Sequence, residues 1–216
     1  MGGRVHNYDF LITINHTLRF NVEFKFNASK IQHAPQFASP MKPSQYMSHS
    51  FEAYFYDNHL HKIATFGELH IPSKEEYLGQ LHQIAPPCMS EFTQLYDEGK
   101  PKKNKSEKGR TFYNFCKKES KEAIYSFLQN VTLETEKLSD YLIQSQKNKV
   151  YMLYKDGILY KETLSDELYK IKKESVTIEG PNFICETVCG YKLKILLRWK
   201  NGNGIAFPAF QISRNI

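Results

Sequence analysis

Asn21-Val22-Glu23-Phe24-Lys25-Phe26-Asn27 is the stretch on which the reading of this chain turns. Together with Phe20 it alternates: Phe20, Val22, Phe24 and Phe26 point one way, and Asn21, Glu23, Lys25 and Asn27 the other. Strict alternation predicts a strand with one apolar face. The opposite face carries a carboxylate, an ammonium and two amides. Residues two apart on a strand share a face, so Glu23 and Lys25 are near neighbours. Residues 9–15 (DFLITIN) read as the preceding strand, joined to this one by a short turn around His16-Thr17. Such a hairpin brings Asp9 towards Glu23. Two carboxylates and a lysine in one place suit a hard divalent cation and an activated water. The carbonyl of Phe24 is a candidate further oxygen ligand.

Beyond this hairpin, residues 28–43 hold Pro35, Pro40 and Pro43 and little periodicity, which predicts mostly loop with a short strand or turn at 29–32. Residues 45–55 read as a helix, and 57–67 as either its continuation or a loop. Ser73 with Glu76 forms a capping box that predicts a helix running to about Ile84, before Pro86-Pro87. Further helices are expected over 90–96, ending near Gly99, over 111–128 with a buried stripe of Phe112, Phe115, Ala123, Tyr125, Phe127 and Leu128, and over 132–146. The charged run 99–109 (GKPKKNKSEKG) is either a solvated loop or a basic loop that tracks phosphates.

From Lys149 the period becomes strand-like. An Asp156-Gly157 turn predicts a hairpin of 150–154 with 158–161. A short helix is expected over 164–172, then strands at 176–179, 183–188 and 191–199, and a last extended run at 205–213 after the Asn201-Gly202-Asn203-Gly204 turn. Strands, a helical middle and a terminal antiparallel sheet give an α+β protein. It divides into catalytic-motif strands (1–45), a helical region (46–147) and a C-terminal antiparallel sheet (148–216) within a single domain.

At 216 residues the chain can bury a sizeable core, and 41% hydrophobic with 14% aromatic residues excludes disorder throughout. A charge of +6, from 29 basic and 23 acidic residues, permits a nucleic-acid partner without requiring one. Cys88, Cys116, Cys185 and Cys189 match no zinc spacing. The polar residues 1–7 are no signal peptide, and no run approaches the roughly 18 apolar residues of a membrane span. Free thiols in a reduced intracellular setting, cytoplasmic or nuclear rather than secreted, are the expectation. His33, His49, His59, His61, His70 and His82 are scattered, and His59-x-His61 lacks a second pair to complete a metal site. The chain contains neither a phosphate-cradling glycine loop nor a dinucleotide fingerprint.

The pattern Asp9 … Glu23-Phe24-Lys25, an aspartate on one strand and an acidic-x-Lys triplet on the next, resembles the signature of the PD-(D/E)xK nuclease superfamily. Thirteen residues separate Asp9 from Glu23. The flanking YDFLITI and FNVEFKFN look like the two core strands of restriction-endonuclease-like proteins, and Ala34-Pro35-Gln36-Phe37 is similar to an extension in some members. The resemblance covers roughly residues 7–40. It implies a restriction-endonuclease-like core with a mixed sheet, and a Mg2+-dependent endodeoxyribonuclease of type II restriction-endonuclease kind. In that reading Asp9 and Glu23, with the Phe24 carbonyl, bind metal, and Lys25 positions the nucleophile. Double-stranded DNA is the implied partner, and a homodimer follows by analogy. The alternative is a catalytically inactive nuclease-fold protein that binds DNA. The superfamily's core also carries a helix before the aspartate strand, and only eight residues precede Asp9 here. Either a helix from elsewhere fills that place or one face of the sheet is left exposed.

Candidate DNA contacts extend the reading. Asn27 and Gln36 flank the triplet region. At the far end, Arg198 and Lys200 share a strand face beside Trp199 and Asn201, where they can meet phosphates or base edges. The plainer reading is a basic hairpin tip with Trp199 in the core. Gln211, on the last strand, is placed to reach an adenine edge.

Overall fold

Two tight turns set the strand pairing. Asn15 and His16 take left-handed φ values of 51° and 59°, and Asp156 and Gly157 take 51° and 80°. Consecutive positive φ values match the right-handed twist of a hairpin. The first turn joins β1 (Phe10–Ile14) to β2 (Leu18–Phe26), and the second joins β3 (Lys149–Lys155) to β4 (Ile158–Thr163). The structure is a computed structural model that describes residues 8–26, 42–83, 86–103, 105–146, 149–163, 165–199 and 208–215.

The two hairpins meet through β2 and β3, which run parallel with Asn21 opposite Lys149 and Phe26 opposite Tyr154. The result is a mixed four-stranded sheet of order β1-β2-β3-β4. This corrects the sequence reading, which put residues 148–161 with the terminal sheet. Alternation fixes a strand's faces but not its partner, and a parallel pair needs a long crossover to form. The second sheet is antiparallel throughout and consists of β5 (Thr177–Glu179), β6 (Asn182–Glu186), β7 (Lys192–Trp199) and β8 (Pro208–Asn215). Together with the helices this is an α+β protein.

Between the hairpins lie α1 (Phe51–Phe55), a π-helical turn (Tyr56–Leu60) and α2 (His61–Gly67), which form one continuous run, then α3 (Lys74–Gln80), α4 (Ser90–Glu98), α5 (Glu107–Leu128) and α6 (Thr135–Gln146). The helix expected from Gln45 begins only at Phe51. Met47 bridges to Leu133 and Ser48 N–H donates to the Thr132 carbonyl, which holds the preceding backbone extended. Ser50 then caps the helix by accepting from Ala53 N–H. The capping box at Ser73 and Glu76 is present, and α3 stops at Gln80, short of the expected end. In place of the helix expected over 164–172, the described residues 165–172 hold a 3-10 turn at Asp166–Tyr169. Beyond that turn Ile171 pairs with Thr187, and Lys172 N–H donates to the Glu186 carbonyl, so the backbone serves the second sheet.

The core runs between the helices and both sheets. Trp199 is buried with ring centroids 4.6 Å from Phe55 and 5.5 Å from Phe51, and Phe51 meets Phe127 at 5.2 Å. From the mixed sheet, Tyr151 and Leu153 enter this core. On the opposite face Val22 and Val150 are buried, but Phe10, Ile14, Leu18, Phe26, Tyr154 and Leu159 are exposed, as expected for a sheet with one thinly covered face. All four cysteines are free thiols. Among the described residues no helix is long and apolar enough to cross a membrane.

Candidate active site

The geometry around Glu23 follows from strand register. Phe10 lies opposite Val22, and Asp9 N–H donates to the Val22 carbonyl at 2.9 Å, so the ladder continues to place Asp9 beside Glu23 on one face. One Asp9 carboxylate oxygen, Oδ2, accepts from Phe24 N–H at 2.8 Å. That bond satisfies a β2 donor beyond the end of β1. Within a strand a residue's N–H and C=O point to the same side, so the Phe24 carbonyl also faces the Asp9 edge. Glu23 Oε1 accepts from Lys25 Nζ at 2.7 Å, with the lysine side chain 27% exposed.

The parallel neighbour adds a group that sequence reasoning missed. Lys149 sits opposite Asn21 and shares the face of Glu23, with its Nζ 3.7 Å from Glu23 Oε2. Its side chain is 2% exposed, and Nζ has no hydrogen-bond partner among the described residues. Burial lowers the Lys149 pKa from its ordinary value. The carboxylates of Glu23 and Asp9 oppose that shift, while the Lys25 charge adds to it. The ammonium also lies 5.9 Å from the centroid of the Tyr151 ring. Tyr151 in turn donates its hydroxyl to Gln146 Oε1, which ties the end of α6 to β3. The one sequence signal for Lys149 was its place in the alternation Lys149, Tyr151, Leu153. Its proximity to Glu23 depends on a pairing register that no local pattern encodes.

Asp9, Glu23, Lys25 and Lys149 therefore form a cluster of two carboxylates and two ammonium groups on a largely buried sheet face. Chemically, two carboxylates and a main-chain carbonyl are hard oxygen donors that fit Mg2+, which keeps waters and takes substrate phosphate for its remaining ligands. No group of three or more His, Cys, Asp or Glu that could hold a metal occurs among the described residues. A cation here would rest on Asp9, Glu23 and the Phe24 carbonyl, and would share Glu23 with the two lysines.

The other sequence candidates lie elsewhere. Asn27, Gln36, Lys200 and Asn201 fall outside the described residues. Arg198 and Gln211 belong to the second sheet, where the Arg198 guanidinium donates to Gln211 Oε1. Trp199 takes its place in the core. In the charged run, Lys100 and Lys103 pair with Asp97, and Lys108 pairs with Glu68, which leaves less free charge for phosphates than the sequence suggested. His59 is buried with Nδ1 3.1 Å from Glu119 Oε2, and His61 is exposed on the next turn. Comparison with protein-family models, with curated proteins and with solved structures finds no match to this chain.

Proposed function

We propose that this chain is a Mg2+-dependent endonuclease that hydrolyses DNA phosphodiester bonds, with a restriction-endonuclease-like core. The observation that carries the reading is the meeting of Asp9, Glu23 and Lys25 on adjacent strands, with Lys149 buried behind them. The mixed sheet supports it, because the triplet strand is flanked by an antiparallel strand that bears the aspartate and by a parallel strand.

Asp9, Glu23 and the Phe24 carbonyl would hold Mg2+ in this scheme. When bound, the cation lowers the pKa of a coordinated water and neutralises charge on the phosphate. Lys25, the more exposed lysine, holds Glu23 Oε1 at 2.7 Å and would be the group available to position the attacking water. Lys149 holds Glu23 from the protein side and would add positive potential to the site, where a low dielectric strengthens it. Double-stranded DNA is the proposed substrate, and a homodimer would set two such sites against the two strands.

Supercoiled plasmid incubated with Mg2+ tests this directly. Nicked and linear products are expected with wild type. E23A and K25A should each lose at least about 100-fold in rate, the usual scale for removing an electrostatic or proton-handling group. Absence of cleavage with any divalent metal, or cleavage indifferent to both variants, would overturn the proposal. One observation favours a second reading, an inactive nuclease-fold protein that binds DNA: both oxygens of Glu23 already face an ammonium, so the cluster is neutral without a metal. That reading expects retained DNA binding with no cleavage.

A further inference from the structure

A cleft of about 410 Å3 opens between α5 and the second sheet, within the size range of small-ligand sites. Its rim carries Lys117, Lys121 and Arg198, and its floor is apolar, with Ile124 and Leu196 among the lining residues. None of the three cations forms an ion pair among the described residues. Lys117 and Lys121 stand one helical turn apart on α5, a like-charge spacing that destabilises a helix unless an anion lies between them. The contrast with Lys118, which faces Glu122 at 3.9 Å, is local and sharp. Arg198 is held by Gln211, which engages part of its donor fork.

The aromatic lining completes the chemistry. Tyr125 is half-buried on the same side of α5, and Lys121 Nζ lies 5.6 Å from its ring centroid. Cations beside a half-buried aromatic ring are a pattern of single-stranded nucleic-acid sites, where bases stack and phosphates meet ammonium groups. We propose that this cleft binds one nucleotide unit, its base against Tyr125 and the apolar floor, its phosphate between Lys117 and Lys121. The choice of a nucleotide over other amphipathic anions rests on the nucleic-acid reading of the chain. Binding in the cleft does not require hydrolysis at Glu23.

Trp199 lines the cleft and is the chain's single tryptophan, so its emission reports occupancy without a label. The full chain is titrated in EDTA with thymidine 5′-monophosphate, a short oligothymidylate, inorganic phosphate and decanoate. Oligothymidylate should change the Trp199 emission, and a response to the mononucleotide as well would place free nucleotides among the ligands. K117A/K121A, two exposed helix positions, should weaken oligothymidylate binding by about tenfold or more. It should also flatten the salt dependence by about 0.7 in slope, the share of one phosphate neutralised on a single strand. K25A, which leaves the Glu23–Lys149 pair intact, should bind as wild type does, which separates failure of this site from failure of the hydrolytic one. Equal affinity of wild type and K117A/K121A, with circular dichroism showing both folded, would overturn the proposal. So would decanoate binding in preference to nucleotide.

Discussion

Replacing Glu23 by Gln and Lys149 by Met, singly and together, should give an asymmetric result. The two charges stand 3.7 Å apart, with side chains 13% and 2% exposed. At an effective dielectric constant of about 20, unit charges at that distance attract by about 4.5 kcal/mol, before the penalty for taking both out of water. E23Q leaves the Lys149 ammonium buried with its nearest counter-charge gone. Breaking a fully buried pair in this way costs about 3–5 kcal/mol. Asp9 remains as a weaker counter-charge and Glu23 is partly open to water, so about 2–4 kcal/mol is expected. K149M removes the buried charge itself and fills the space with apolar atoms, while Glu23 keeps Lys25. Its stability should stay within about 1 kcal/mol of wild type, or exceed it. The double variant should recover most of the E23Q loss. Equilibrium unfolding in urea, in EDTA, measures all four corners of the cycle. A K149M loss as large as that of E23Q, or strictly additive losses, would refute the claim that Lys149 depends on Glu23.

Other consequences are open to simpler measurements. A Cβ built on Gly99 would stand 1.9 Å from the Gly109 carbonyl oxygen, where α4 and α5 approach, so G99A should cost about 3 kcal/mol in urea unfolding, at the upper end of overpacking effects. Burial pushes the Cys185 thiol up to about 12 and raises that of Cys116 further, whereas Cys189 is exposed and Cys88 half-buried. Labelling of the native protein with a disulfide reagent should show a fast phase lost in C189S, a slower one from Cys88, and the remaining thiols only after unfolding. Burial works against the Asp97 carboxylate, yet Lys100 at 2.5 Å and Lys103 at 3.3 Å hold its pKa below the ordinary value. Its folded pKa is therefore the lower one. The stabilisation is complete above the unfolded value of about 3.9 and is lost as pH falls through the folded value. D97N should be less stable than wild type near neutral pH and converge with it in acid; a gap that stays constant down to pH about 3 would contradict this.

What could be read from sequence was local. Ser73 and Glu76, the Asp156-Gly157 turn and the hairpin before Glu23 each involve neighbours along the chain, and each formed as expected. The errors came where distant backbone claimed a segment. Leu133 and Thr132 draw residues 47–48 out of a helix that their own periodicity favours, and the second sheet does the same to residues 171–172. Three of the four side chains of the candidate site were legible because Asp9, Glu23 and Lys25 lie on one hairpin. Lys149 was not, since a strand with polar and apolar alternation can pair with many partners, and only the folded register names one.

That register bears on when the site comes into being during synthesis. The hairpin with Asp9, Glu23 and Lys25 leaves the ribosome before β3, and a lone two-stranded hairpin is marginally stable in water. Its parallel partner β3 is translated on the order of a hundred residues later, after α1 to α6, and non-local pairings of this kind form slowly. Until then the strand that carries the carboxylate and lysine has one bare edge and an apolar face. Truncated chains that end before Lys149 would carry the whole acidic-x-Lys triplet and still lack the sheet that holds it in place.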